Sequence, residues 1–435
     1  MTTFDKVNGM ATTPGLAVLE GSHSPPVTDP PTTGWTVWTA SMAIISLVLS
    51  LDHFDIFQSS IGKAFLSLTA IALLGYYMLM NRFQPNRVPW PVVFWVILMM
   101  FAMPGIMYMK LRRSYDVSSP STLFGAVTMG LLVVSVVFIP IRLLRFDPVA
   151  AMKVLAGIGF AFLIGSFVVL AGFGYGVIPR IRVHERAFLL VVPLTYAFLN
   201  RRVFLATICL FLMLLVLLIN PRTTILLSYA GAFCMIMYHV SSKQTRMIVL
   251  PFLCLFLTFF AFNAYEIMKT VNANVKKSAS SSDNSTFREE VWALGRQEFY
   301  RSPLYGSFFT RGAAYDYGRK LTSEATGEYL DSSLVPLHND YLEFFASGGV
   351  IGGFLFASAI MGVFLMAVRN VTKCRAHYLM GHMKYNQMLS TTLACAMMCM
   401  LFNPVINNTQ SGFFVYALVS LIIMEHLHLR ALGVR

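Results

Sequence analysis

Residues 286–309 read TFREEVWALGRQEFYRSPLYGSFF, and residues 336–356 read PLHNDYLEFFASGGVIGGFLF. These two stretches bound a polar segment in an otherwise apolar chain, and their reading decides the fold. On either side the chain consists of apolar runs of helix length joined by short turns. Charged side chains, aromatics and one histidine crowd into a segment that has to lie outside lipid. In a membrane chain, such an insertion is where chemistry is expected.

The first stretch reads as a helix at the membrane surface. Thr286 and Glu289 have capping-box spacing, and Phe287, Val291 and Leu294 fall on one side at helical period. Arg288 and Trp292 are four apart, which lets the guanidinium stack over the indole. Ser302-Pro303 ends the helix, because the residue before proline resists helical geometry. From Asp340 onward a transmembrane helix follows, with Asp340 and Glu343 again at capping-box spacing. Gly348, Gly349, Gly352 and Gly353 make two overlapping GxxxG pairs that invite another helix to pack closely. His338 thus falls just outside a firmly seated helix, at the water boundary.

Composition agrees. Hydrophobic residues make up 56% of the 435, charged residues 12%, and the mean hydropathy is +0.65. That is an all-α polytopic membrane protein, not a soluble domain. The formal charge of +13 does not signal nucleic acid, because the positive residues sit in short turns between apolar runs. The six cysteines (Cys209, Cys234, Cys254, Cys374, Cys395 and Cys399) fall in apolar runs or a basic turn. The polar insertion has none, so no disulfide or zinc site is expected there.

In chain order, residues 1–34 read as a disordered cytoplasmic tail, rich in Pro, Thr and Ser and with no signal-peptide pattern. Residues 35–265 hold nine expected spans, residues 266–340 a large periplasmic loop with short helices, and residues 341–435 three spans and a short cytoplasmic end. The twelve spans run approximately 35–51, 62–80, 90–109, 121–140, 150–177, 187–199, 203–219, 223–240, 247–265, 341–368, 387–403 and 411–428, each near the roughly 20 residues a bilayer needs. Arg82 and Arg87, Arg142 and Arg145, Arg201 and Arg202, Lys243 and Arg246, and Arg369 to Lys384 fall on one side by alternation. That side is cytoplasmic, and the 403–412 turn on the other side carries no positive charge.

Lys110 to Arg113, Arg222 and the cluster Arg180, Arg182 and Arg186 break this rule. Arg222 stands between two apolar runs, either snorkelling at a helix end or holding a partner; an arginine at mid-membrane costs roughly 2.5–3.5 kcal/mol. In the cluster, Glu185 neutralises one arginine, with Arg186 the better assigned to an ion pair. Arg222, the cluster, Arg288 and His338 share one face on this topology, and converging arginines call for an anion such as a phosphate or pyrophosphate head group. Of nine histidines, only His338 joins an outer-face position to a rigid seat beside the loop. Helix capping accounts for Asp340 more simply than a metal site does. The aromatic run from Tyr300 through Tyr305 to Tyr317 suits either interfacial anchoring or stacking on sugar rings.

These residues carry a resemblance. An Arg-Thr pair opening a span (Arg222-Thr223) precedes a large outer loop. The loop carries Arg-x-x-x-Trp (Arg288, Trp292) leading to Pro-Leu-Tyr-Gly (Pro303 to Gly306). His-Asn-Asp-Tyr-Leu-Glu-Phe…Gly-Gly-Val-Ile-Gly then enters the next span. Over about residues 35–430 the chain resembles the bacterial O-antigen ligase and O-antigen or exopolysaccharide polymerase superfamily, departing from its usual Ser-Arg with Pro221-Arg222. The resemblance implies a metal-independent, inverting glycosyltransferase of the GT-C type, with no cofactor, in the bacterial inner membrane and facing the periplasm. Its donor would be a glycan on undecaprenyl pyrophosphate. Its acceptor would be a second glycan or lipid A–core, with membrane lipid around it and a chain-length regulator protein as a further partner. Carried over, Arg222 and Arg288 hold the pyrophosphate and His338 acts on the acceptor hydroxyl. Arg180, Arg182, Trp292, Arg296, Tyr305 and Asn339 line the substrate. The near-cancelling charge of the loop and its aromatic run favour a polymerase over a ligase, and a lipid-linked sugar transporter is the reading from another class.

Overall fold

The computed structural model describes residues 37–53, 60–112, 130–140, 147–172, 183–220, 222–241, 245, 251–253, 255–259, 263, 284–309, 339–403, 405–406 and 408–434. All of these belong to the unit Gly34–Arg435. Their regular structure is helical: α1 (Val37–Leu51), α2 (Ser60–Met80), α3 (Trp90–Arg112), helical residues 130–137, and α4 (Pro148–Gly172). A 3-10 segment (Val183–Leu189) leads to α5 (Val192–Leu199), α6 (Val203–Ile219) and α7 (Thr223–Val240). After these come α8 (Asn284–Arg301), α9 (Asp340–Ala376), α10 (Met380–Met400) and α11 (Thr409–Ala431).

This is a multi-pass membrane protein. Among the described residues, five helices are long and apolar enough to cross a bilayer: Ile61–Met80, Pro148–Gly172, Thr223–Val240, Asp340–Ala376 and Gln410–Ala431. Along α6, Phe204, Leu210, Phe211, Leu214 and Leu218 are exposed, a surface that water would not tolerate and lipid does. The core lies around α10, which packs against α7 and α9 and buries Tyr385, Met388, Leu389 and Leu393. Its polar residues are bonded inward, Ser390 Oγ lying 2.9 Å from His239 Nε2 and Thr391 and Thr392 donating to their own helix.

The expected spans at 62–80, 203–219 and 223–240 coincide with α2, α6 and α7 within two residues. The expected span at 187–199 does not exist as one helix. A 3-10 turn is followed, from Pro193 at the first turn, by an eight-residue helix. At about 1.5 Å per residue that helix reaches less than half of a bilayer. Its polar start is held inside the protein, with Arg186 Nη1 donating to the Leu49 carbonyl at 2.8 Å and its guanidinium over the Phe162 ring at 5.2 Å.

Helix α9 is broken. Gly349 has φ +62 and ψ −162, which separates residues 340–348 from the long segment that continues to Ala376. The expected helical partner for the glycine pairs is only partly present. Helix α3 does lie along α9, with Trp90 against Gly362 and Trp95 edge-on to Phe356 at 6.1 Å. At Gly348 and Gly352, however, the neighbour is Phe309, from the turn that follows α8.

Candidate active site

The turn between α10 and α11 gathers one end of the bundle. Asn403 Nδ2 donates to Thr224 Oγ1 at 3.2 Å and to the His184 carbonyl at 3.3 Å. The Ile406 amide donates to Asp340 Oδ2 at 2.8 Å. Phe402 meets the Trp292 ring at 5.9 Å, and Asn408 Nδ2 donates to Glu185 while its Oδ1 caps α11. One short turn therefore ties together the first turn of α7, the 3-10 segment, α8 and the start of α9. A polar, asparagine-rich stretch between two apolar runs signals this in sequence, beyond the absence of positive charge at 403–412.

Arg222 is the N-cap residue of α7, extended at φ −132 and ψ 139, with no side chain capping the helix. Its Nε donates to Asn220 Oδ1 at 3.3 Å. The first intrahelical bonds run from Ile225 and Leu226 to the Arg222 carbonyl. The amides of Thr223 and Thr224 thus have no intrahelical partner, as at any helix start, and they add positive potential to the guanidinium. Desolvation lowers the Arg222 pKa from its ordinary value. An arginine stays charged even so, and partial burial strengthens its pull on an anion.

Helix α8 begins at Asn284, two residues ahead of the expected Thr286 cap, and ends at Arg301 before Ser302-Pro303 as proline dictates. The following turn is seated in the break of α9. Val350 and Ile351 donate to the carbonyls of Pro303 and Leu304 at 2.8 and 3.2 Å, and the Phe309 amide donates to the Ser347 carbonyl at 3.0 Å. The backbone groups freed by the break are therefore satisfied by the turn. Both contact points are glycines at positive φ. A Cβ on Gly306 (φ +58) would stand 2.6 Å from the Gly349 amide, and one on Gly349 would strike the Leu304 carbonyl. The Pro-Leu-Tyr-Gly and Gly-Gly-Val-Ile-Gly stretches are two halves of one joint.

The cap of α9 is Asn339, whose Oδ1 accepts from the Leu342 amide at 3.0 Å, and not Asp340 with Glu343. Asp340 is one residue inside the helix, where its fully buried carboxylate is drawn to the Ile406 amide instead. Glu343 accepts from Ser347 Oγ at 3.4 Å.

Of the residues singled out in sequence, Arg222, Trp292, Asn339 and the α8 backbone at Arg288 come to this one end. His338, Arg180 and Arg182 lie outside the described residues, as does the Arg288 side chain. Arg296 is exposed on α8, and Tyr305, 44% exposed, stacks on Phe308 at 4.6 Å. A separate apolar cavity of about 70 Å³, lined among others by Met42, Leu155, Phe188 and Phe414, contains none of these residues.

Residues 206–357 match the O-antigen ligase family, a segment that includes Arg222, the whole of α8, the turn to Phe309, His338 and the broken start of α9. A search of curated proteins finds no match. Through residues 206–357, whose glycines and arginine build this end of the bundle, the chain is similar to the O-antigen ligase family.

Proposed function

We propose that the protein is a metal-independent, inverting glycosyltransferase of the GT-C type. It works at the periplasmic face of the bacterial inner membrane and joins O-antigen or exopolysaccharide repeat units carried on undecaprenyl pyrophosphate. The observation that carries this reading is the uncapped first turn of α7, with a half-buried Arg222 in it, tied through the turn between α10 and α11 to the elements that bear Trp292 and Asn339.

In the reaction, the acceptor hydroxyl gives its proton to His338 as its oxygen bonds to the anomeric carbon. The bond from that carbon to the pyrophosphate oxygen breaks, and its electron pair leaves on the pyrophosphate. Arg222 and Arg288 stabilise the charge that develops there, in a site poor in water where fixed cations act most strongly. Imidazole, with an ordinary pKa of about 6.5, suits the proton transfer at neutral pH. Exposed Tyr300 and Tyr305 offer aromatic faces for sugar rings and support a polymerase. Purified enzyme given undecaprenyl-pyrophosphate repeat units alone should release undecaprenyl pyrophosphate and build a ladder of longer lipid-linked glycans. Product formed only when lipid A–core is added, without a ladder, makes it a ligase. Relocation of the donor without any transfer makes it a transporter.

A further inference from the structure

Two buried amide side chains stand at the start of α7, Asn220 bonded to Arg222 and Asn403 to Thr224, and each has one polar atom that nothing bonds among the described residues. Asn220 is 3% exposed, and its Nδ2 has no partner. Asn403 is 1% exposed, and its Oδ1 has none. Neither assignment can be reversed by turning the amide over. The Asn220 oxygen is fixed because it receives Arg222 Nε, which can only donate, and the Asn403 nitrogen is fixed because it donates to the His184 carbonyl. A buried donor therefore stands beside the guanidinium, and a buried acceptor stands against the first turn of the same helix.

The two atoms ask for opposite things. Asn220 Nδ2 adds an N–H to a guanidinium and two open helix amides, a set that fits phosphate oxygen. Asn403 Oδ1 would be repelled by phosphate and calls for a hydroxyl. A ligand that offers an anion and, next to it, a hydroxyl-bearing ring meets both, and a sugar joined to a diphosphate has that order. Leaving either atom unbonded is costly in a buried site, so a partner there is strongly selected. Arg222 is only partly buried, which leaves the guanidinium side of the pair reachable.

We propose that Asn220 and Asn403 are specificity-determining contacts for the sugar–diphosphate junction of the donor. Asn220 donates to a phosphate oxygen, and Asn403 accepts from a hydroxyl of the sugar attached to it. The proposal rests on the glycosyltransferase reading and adds to it the residues that read the donor on each side of the bond that breaks.

Two probes separate the halves. Inorganic pyrophosphate, measured by calorimetry on the purified full chain, reports the anion half alone. The undecaprenyl-diphosphate glycan extracted from the cells that make it, measured by its KM, reports both. Asn220→Ala should weaken pyrophosphate binding and raise the donor KM, each by about tenfold or more, the size of a lost hydrogen bond to a charged group. Asn403→Ala should raise the donor KM by about tenfold and leave pyrophosphate affinity as in the wild type, which also shows that the α7 start is intact. Unchanged pyrophosphate affinity in Asn220→Ala overturns the role of Asn220. Equal weakening of both probes in Asn403→Ala, with a lowered melting temperature, makes Asn403 a structural clamp and overturns its half. If phosphatidylglycerol vesicles compete with pyrophosphate as well as the donor does, the site takes lipid head groups and the sugar contact is wrong. Wild-type protein that ignores pyrophosphate altogether removes the Arg222 reading itself, an outcome distinct from either amide failing.

Discussion

Helices α9, α10 and α11 carry a polar cluster at each end, and the two clusters are built differently. At the end remote from Arg222, side chains bond one another. Glu425 Oε1 accepts from His382 Nδ1 at 2.7 Å and from Asn386 Nδ2 at 3.1 Å. Asn370 Nδ2 donates to Asn386 Oδ1 at 3.2 Å, and Asn370 Oδ1 lies 2.9 Å from His426 Nδ1. The His382 and His428 rings stack at 5.7 Å. At the Arg222 end side chains reach for backbone as well as for one another, Asn403 for the His184 carbonyl and Asp340 for the Ile406 amide, and three side-chain amide atoms, Asn220 Nδ2, Asn403 Oδ1 and Gln410 Oε1, have no partner among the described residues. The histidine-rich end uses its polarity to hold three helices together, although Glu425 Oε2 accepts nothing there among the described residues. The asparagine-rich end keeps hydrogen-bonding capacity in reserve. Unspent capacity beside a cation marks a binding site better than a count of ionisable residues does.

The sharpest way to break this comparison is to exchange activity for stability between the ends. His338→Ala should lower transfer by about 10²–10⁴-fold, the range for a lost general base, with the melting temperature kept. Arg222→Lys should fail similarly, because a point charge lacks the planar fork that grips two oxygens. His382→Ala at the other end should do the reverse, lowering the melting temperature while folded molecules keep their turnover. Near-normal transfer in His338→Ala, or loss of turnover in fully folded His382→Ala, would put the working site at the wrong end.

Next in size is the joint that fixes the Arg222 end. Gly349→Ala would add strain of about 1–3 kcal/mol at a positive φ and force a methyl against the Leu304 backbone. Gly352→Ala meets the Phe309 ring at 3.2 Å, which can shift, and the Phe344 carbonyl at 3.3 Å, a milder approach than the 2.4–2.5 Å to Leu304 at Gly349. The first substitution should therefore lower the melting temperature several times more than the second. Equal effects would mean that the turn is not seated in the break.

This joint also marks how far the sequence could be read. Arg222 is legible because an arginine between two apolar runs needs a reason, and the ends of α6 and α7 follow from their apolar runs. The break at Gly349 is not legible, because two adjacent glycines at GxxxG spacing read the same whether a helix or a turn packs on them. Asn339 and Asp340 both satisfy the N-cap rule, and only the Ile406 amide, 66 residues away, decides between them. Asn403 looks like any loop asparagine until the fold sets Thr224 and His184 beside it.

A smaller effect tests the far cluster. Glu425→Gln keeps the shape but removes the carboxylate that receives both His382 and Asn386, and it should cost about 1–3 kcal/mol. Thermal unfolding of the purified variant measures this, with donor KM expected to be unchanged. A change in KM without loss of stability would link the two ends and undo the division of labour between them.

The smallest expected effect lies at the Arg222 end, in a histidine that is not part of the chemistry. His53 is 2% exposed, with Nδ1 3.1 Å from the Leu51 carbonyl, Nε2 3.1 Å from Ser166 Oγ, and its ring stacked on Phe162 at 5.4 Å. Burial is the main cause of its lowered pKa, and the nearby Arg186 charge adds to it. A neutral ring fits these contacts: Nδ1–H donates to the carbonyl, and Nε2 accepts from the serine hydroxyl. As pH falls below about 6.5, the unfolded chain takes up this proton before the folded one does, so folding stability falls with it. The contribution of neutral His53 is fully present above that pH and is lost as pH drops through the lowered folded value. Each unit of separation between the two pKa values amounts to about 1.4 kcal/mol. The melting temperature of the detergent-solubilised protein should thus drop between pH 7.5 and 5 more steeply in the wild type than in His53→Gln. Parallel curves for the two proteins would show that the ring protonates as readily folded as unfolded, and that this corner of the Arg222 end is open to water.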